Sequence, residues 1–385
     1  MKVLVLGGAG SMAYATIRDL MEIDIEEVSK VVIADRYYEK VKKVADEFES
    51  GKLTPAWIDV TDHAKLVKLM NGFDVVLDET GTIPVGILKA ALETRVHLIN
   101  LGVAADEGEQ CMDMSDEFEK AGLTAILGLG SSPGITNLMA KALIDKLDTV
   151  KTIEVSFAYA SLGRSTLPLK VPFLGALDEF FTKPLVFRDG QFVELPPQSG
   201  LEDIQYPEPI GIRKSFYVPH EEVWGFPVSF EDKGIKNVTV KAGFTPDFVE
   251  KVNFLIGLGI ISEEPLKVND ATVAPMDVLT ACLAKLPPEQ GEVVDYGCSR
   301  VIARGRGGGE ELEYTALMFN RPYRGLTNAQ HRTGHSPSIG ARMLFRGEIK
   351  KRGVFLPEMV IEPKLFFKEL AKRELEVAVT SRTFI

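Results

Sequence analysis

Short apolar runs alternate with longer amphipathic stretches along the first third of the chain. Val3–Leu6 is continuously apolar, which predicts a strand buried on both faces. Gly7–Gly10 interrupts it, and a helical pattern follows to about Met21. The alternation then repeats. Strands are predicted at Val31–Ala34, Thr54–Ile58, Asp74–Leu77, Val96–Asn100 and Thr124–Leu127. Helices are predicted at Tyr38–Phe48, Ala64–Met70, Val85–Glu93 and Asp113–Ala121. Regular βα units with buried strands predict a parallel sheet covered by helices on both faces.

Such a sheet does its chemistry at the carboxyl ends of its strands. The first strand ends in Gly7, Gly10 and Ala13, spaced as G-x-x-G-x-x-A, with Ser11 and Met12 opening a helix. Gly7 suits a tight turn, Gly10 lets backbone approach a pyrophosphate, and Ala13 lets the helix lie close to the sheet. The helix N-terminus offers N–H groups and a positive dipole end to phosphate. The second strand ends at Asp35, where a carboxylate would take the ribose hydroxyls of an adenosine. This predicts a Rossmann-type dinucleotide-binding domain over residues 1–132, with NAD favoured because Asp35 would repel a 2′-phosphate. The neighbouring Arg36 keeps NADP open, since its guanidinium could hold that phosphate or stack on adenine. Asp59 either reaches the adenine amine or belongs to a helix-capping turn with Thr61 and Asp62. Thr80 and Gly102 follow the fourth and fifth strands and would line the same crevice.

At the junction, Ser132 and Pro133 read as the cap and first residue of a helix. Beyond Lys151 the pattern changes. Ile153–Tyr159, Asn237–Ala242, Val293–Arg304 and Glu311–Phe319 read as strands of a mixed α+β substrate domain over 133–335. Phe180, Phe181 and Leu185 read as core. The segment 336–385 turns helical again and is expected to return to the first domain.

Composition narrows the function. Forty-four Lys and Arg against 55 Asp and Glu give a net charge of −11, which argues against nucleic acid. Three scattered cysteines point to a reducing, cytoplasmic setting, and no apolar run is long enough to span a membrane.

The fingerprint Gly7–Ala13, the run from Gly128 to Asn137 and the late stretch through Gly353, Val354, Pro357 and Glu358 resemble the saccharopine dehydrogenase family. The resemblance covers nearly the whole chain. It implies an NAD(P)-dependent oxidoreductase acting at a carbon–nitrogen bond of an amino acid or polyamine-derived amine, of the lysine 6-dehydrogenase or saccharopine dehydrogenase type. It also implies a small-molecule amine substrate and a homodimer. Several members carry Asp where this chain has Ser132. The element His220-Glu221-Glu222 resembles the carboxynorspermidine branch. These three residues are the candidates for proton transfer, set against a plain solvated acidic loop. Ser132, Gly134 and Asn137 at the junction are candidate substrate contacts, and Arg332 is a candidate for a substrate carboxylate. The tract around His331 and His335 lacks the ligand set of a metal site, and no metal is expected. The rival class is a dinucleotide-binding sensor or scaffold without catalysis.

Overall fold

The computed structural model describes the whole chain except residues 83, 103–104, 163–176, 178, 286–293 and 385. The first part contains β1 (Lys2–Leu6), α1 (Ser11–Glu22), β2 (Lys30–Asp35), α2 (Tyr38–Asp46), β3 (Leu53–Trp57) and α3 (His63–Met70). It continues through β4 (Val75–Asp78), α4 (Pro84–Thr94), β5 (His97–Asn100), α5 (Ala105–Met112), α6 (Ser115–Lys120) and β6 (Thr124–Ile126). Val3 and Val5 face one helical layer and Leu4 and Leu6 the other, all fully buried. That is why β1 is apolar at every position rather than at alternate ones.

The second part runs α7 (Ile135–Ile144), β7 (Thr149–Leu162), β8 (Leu185–Arg188), β9 (Gln191–Glu194), β10 (Glu202–Gln205) and β11 (Ile212–Tyr217). It continues with α8 (Glu222–Ser229), β12 (Asn237–Phe244), α9 (Pro246–Gly257), β13 (Leu266–Val268), β14 (Ala271–Val273) and α10 (Pro275–Ala284). A long antiparallel pair follows, β15 (Val294–Gly307) and β16 (Glu310–Asn320), turning at Gly308 and Gly309, both at positive φ. Strands β7 and β12 are parallel, and β15 runs antiparallel to β7. The fold is therefore a Rossmann-type sheet joined to a mixed α+β domain.

The chain ends with α11 (Asn328–Phe345), β17 (Gly353–Phe355), α12 (Pro357–Val360), α13 (Pro363–Ala371) and β18 (Val377–Phe384). Strand β17 adds to the edge of the first sheet, whose order is β17-β6-β5-β4-β1-β2-β3, all parallel. The last strand departs from expectation. β18 pairs antiparallel with β16 in the second sheet, so the tail visits both domains.

Helix α11 crosses the boundary expected at 335 and lies along α1. A Cβ on Gly334 would stand 2.6 Å from the Cβ of Ala15 and 2.6 Å from the Met12 carbonyl, so only glycine permits this approach. Beneath the pair, Arg373 grips the buried Asp19 through two hydrogen bonds of 2.6 and 2.8 Å. Burial alone would raise the Asp19 carboxyl. His335 and Arg373 overcome this and hold it well below its ordinary range.

Two local readings are corrected. Helix α7 starts at Ile135 with Gly134 as its cap at φ 123°, not at Ser132 and Pro133. The Ser132 hydroxyl is engaged elsewhere, and the side-chain Oδ1 of Asn137 accepts from the Gly134 N–H at 2.8 Å instead. Phe180 is buried against Phe216, Phe244 and Phe248, but Phe181 is 42% exposed, on the other side of the same turn. No helix among the described residues is long and apolar enough to cross a membrane.

Candidate active site

The carboxyl ends of β1, β2, β4 and β5 form one side of the site. Gly7 sits at φ 78°, and a Cβ there would lie 2.6 Å from the Glu79 carbonyl oxygen. Gly10 caps α1 without a side-chain hydrogen bond, and its N–H donates to the Gly7 carbonyl at 2.8 Å. The first turn, Ser11, Met12 and Ala13, therefore presents backbone N–H groups with no capping side chain. Ala13 is fully buried against the sheet. Asp35 braces the turn, accepting from the Ala9 N–H at 3.1 Å and the Tyr37 N–H at 3.0 Å. Arg36 is exposed and lies 5.1 Å from the Tyr37 ring centre. Asp59, just after β3, accepts from the Thr61 N–H and hydroxyl at 3.0 and 2.7 Å. The Thr80 hydroxyl and N–H both go to Asp78. The Gly102 carbonyl accepts from Asn100 at 2.8 Å. A tight glycine cradle, an uncapped helix start and a carboxylate at the next strand end suit a dinucleotide's pyrophosphate and ribose.

The other side comes from the second domain. His220 and Glu221 lead into α8, with Glu222 as its first residue. His220 Nδ1 lies 2.8 Å from a Glu222 carboxylate oxygen and 3.7 Å from Glu221. The other Glu222 oxygen accepts from the Ser132 hydroxyl at 2.5 Å and the Thr136 hydroxyl at 2.7 Å. The N-terminus of α7 thus meets an anion, and that anion is the protein's own Glu222. Burial disfavours the charged imidazole, but the charge and hydrogen bond of Glu222, with Glu221 and Glu179, push His220 up to about 9. Burial likewise opposes the Glu222 carboxylate, and His220, Ser132 and Thr136 hold it down at about 2. The pair is a buried imidazolium–carboxylate at neutral pH.

The two sides meet at Gly102. Glu221 Oε1 lies 3.1 Å from where a Cβ on Gly102 would stand. The His220 ring packs 5.3 Å from Phe157, and the guanidinium of Arg332 lies 5.9 Å from the same ring and 4.4 Å from Tyr159. Arg332 is buried and donates to the hydroxyls of Tyr159 and Ser299, the latter at 3.5 Å, while among the described residues its Nε has no partner. Among the described residues no carboxylate forms an ion pair with it. His220, Glu221 and Glu222 also place one ligand atom each within 4.8 Å, a spacing that would admit a cation. Here His220 and Glu222 bond to each other instead.

Comparison with known proteins fits this geometry. Residues 3–126 match the saccharopine dehydrogenase NADP binding domain, and residues 130–375 match the saccharopine dehydrogenase C-terminal domain. The chain belongs to the saccharopine dehydrogenase family. It is 23% identical to a carboxynorspermidine synthase of Vibrio alginolyticus, covering 94% of this chain and 93% of that protein. It is 25% identical to a carboxyaminopropylagmatine dehydrogenase of Synechocystis, covering 97% and 96%. Its fold matches apo saccharopine dehydrogenase (L-Glu forming) of Saccharomyces cerevisiae with a TM-score of 0.76 at 17% identity, covering 99% of both chains. A homospermidine synthase of Legionella pneumophila in complex with NAD aligns at a TM-score of 0.68 and 15% identity, covering 100% of this chain and 91% of that one. As a family member this chain is a nicotinamide-dinucleotide-binding protein of the NAD(P) class.

The junction residues expected to contact substrate make hydrogen bonds within the protein. Asn137 is buried and uses its amide on the Gly134 N–H and on Glu358. Gly134 is pressed against Gly130, and Ser132 points at Glu222. Phe157, Tyr159 and Ser299 carry no local signal, because they reach the site from strands of the second sheet, and the roles of Thr136 and Glu358, though both lie in the resembling stretches, come from contacts distant in sequence. His331 and His335 lie away from Arg332 on α11. The first stacks 4.2 Å from Tyr323, and the second faces Asp19.

Proposed function

We propose that this chain is an NAD-preferring oxidoreductase acting at the carbon–nitrogen bond of an amine that also carries a carboxylate. The observation that carries this reading is the meeting of Glu221 and the His220–Glu222 pair with the crevice at Gly102. When bound, the nicotinamide supplies or accepts the hydride. Gly7, Gly10, the first turn of α1 and Asp35 would hold the dinucleotide. The protein must still hold the reacting carbon in place and move one amine proton. His220 Nδ1 is used on Glu222, and Nε2 is the other ring nitrogen. Nε2 is the atom assigned to the substrate nitrogen. Held charged at neutral pH, His220 donates a proton in the reductive direction. In the oxidative direction it must first lose that proton, so oxidation speeds up as pH rises toward about 9. Arg332 supplies the buried cation for the substrate carboxylate, against the rings of Phe157 and Tyr159.

The named relatives favour a carboxylated polyamine over lysine, and the same cation serves both. Arg332→Met tests the assignment. It should raise KM for a carboxylated amine about 100-fold and leave NADH affinity unchanged. An unaltered KM in a folded variant would remove Arg332 from the substrate site.

A further inference from the structure

Helix α8 carries the His220–Glu222 element at its start, so whatever fixes this helix also fixes those side chains. Two carboxylates strap it to the first turn of α7 and the residues just before it, one at each end. At the start, Glu222 accepts from Ser132 and Thr136. At the far end, the Ser229 hydroxyl donates to Glu358 Oε1 at 2.7 Å, and Asn137 Nδ2 donates to Glu358 Oε2 at 2.9 Å. Glu358 is only 2% exposed and lies in α12, just after β17, the edge strand of the first sheet.

The orientation of Asn137 is dictated. The Gly134 N–H donates to its Oδ1, so its NH2 group must face Glu358, and Glu358 must accept. Packing reinforces the contact. A Cβ on Gly225, inside α8, would lie 3.1 Å from Leu356 and 3.8 Å from Glu358 Oε1.

We propose that Glu358 is a positioning residue. It ties the end of α8 and the turn below Glu222 to the dinucleotide sheet, and so sets where His220 and Glu221 stand relative to Gly102. It reaches no reacting atom itself. The inference rests on reading His220–Glu222 as the proton-handling pair. Burial raises the Glu358 carboxyl above its ordinary range, and the hydrogen bonds from Ser229 and Asn137 oppose that rise.

The test needs no substrate. His220 is followed by ring-labelled NMR titration in the unmodified protein and in Glu358→Ala, Glu358→Gln and Ser229→Ala, with NADH binding measured beside each. Glu358→Ala should lower the His220 pKa by about one unit, because the slackened helix opens the short contact with Glu222. NADH affinity should change less than about twofold. Glu358→Gln should restore the value: its carbonyl accepts from Asn137, and its amide donates to the Ser229 hydroxyl, which can turn to accept. A folded Glu358→Ala protein whose His220 titrates as before overturns the proposal. If that variant does not fold, Ser229→Ala removes only the α8 end of the strap and should shift His220 downward by about half a unit. No shift there overturns it equally. A normal His220 pKa in the unmodified protein would instead strike the underlying proton-handling reading.

Discussion

Replacing Glu222 by Gln isolates the charge at the centre of the site. The amide keeps the shape, its carbonyl can still accept from His220, and its NH2 can donate to the hydroxyls of Ser132 and Thr136. What disappears is a fully buried negative charge 2.8 Å from His220 Nδ1. His220 is raised from 6.5 to about 9, equivalent to about 3 kcal/mol favouring the charged ring. Burial pulls against it, and of the remaining carboxylates Glu221 lies 3.7 Å from Nδ1 and, with Glu179, contributes less than Glu222. The His220 pKa in Glu222→Gln should therefore fall by about two units or more. The chain has five histidines, so ring-labelled NMR with His220→Asn as the assignment control reads this directly. The sign for stability follows. The His220 contribution is full below its unfolded pKa near 6.5 and is lost as pH rises through about 9. The Glu222 contribution is full above its unfolded value near 4.5 and is lost as pH falls through about 2. The unmodified protein should exceed Glu222→Gln by about 3 kcal/mol between about pH 4.5 and 6.5, where both contributions are full, with the gap narrowing from there and closed by about pH 9. A His220 that titrates near 6.5 in the unmodified protein, or does not move in the variant, would refute the coupled pair.

Three further outcomes are expected. Asp35→Ser should weaken NAD about tenfold and strengthen NADP, with Arg36 beside the added phosphate; titration of both cofactors checks it, and tighter NADP binding by the unmodified protein would reverse the assignment. Gly10→Val should abolish dinucleotide binding in calorimetry while a thermal melt shows a folded protein, because the side chain would crowd the pyrophosphate approach and the Gly7 carbonyl. Arg373→Met strands the buried Asp19 charge and should cost about 3–5 kcal/mol in denaturant unfolding at neutral pH, a loss that shrinks if Asp19 is also changed to Asn.

What could be read from the chain was what depends on neighbours in sequence. The glycine turn, Asp35 and the buried strands of the first sheet are short-range patterns, and Gly7 takes the positive φ that the turn requires. The junction shows how such a pattern misleads. Ser132 and Pro133 have the residue types of a helix start, yet the Ser132 hydroxyl is claimed by Glu222, 90 residues away. The aromatic wall of Phe157 and Tyr159 is formed by one strand meeting Arg332 from α11, and no spacing rule connects them. Glu358 likewise acquires its meaning only when β17 carries it to the edge of the first sheet. Strands β9 and β10 are short and mostly exposed, so neither shows an apolar alternation.

The account stands on substrate chemistry. The deciding measurement is the initial rate with a panel of amines, NAD or NADP, read at the nicotinamide absorbance, with uncarboxylated amines and 2-hydroxy acids alongside. The panel holds lysine, saccharopine, carboxylated polyamines and their uncarboxylated counterparts. The account predicts NADH formation with a carboxylated amine, faster toward pH 9 and lost in His220→Asn. Turnover of a 2-hydroxy acid, equal turnover of amines with and without a carboxylate, or no turnover of any amine by a protein that binds NADH would contradict it.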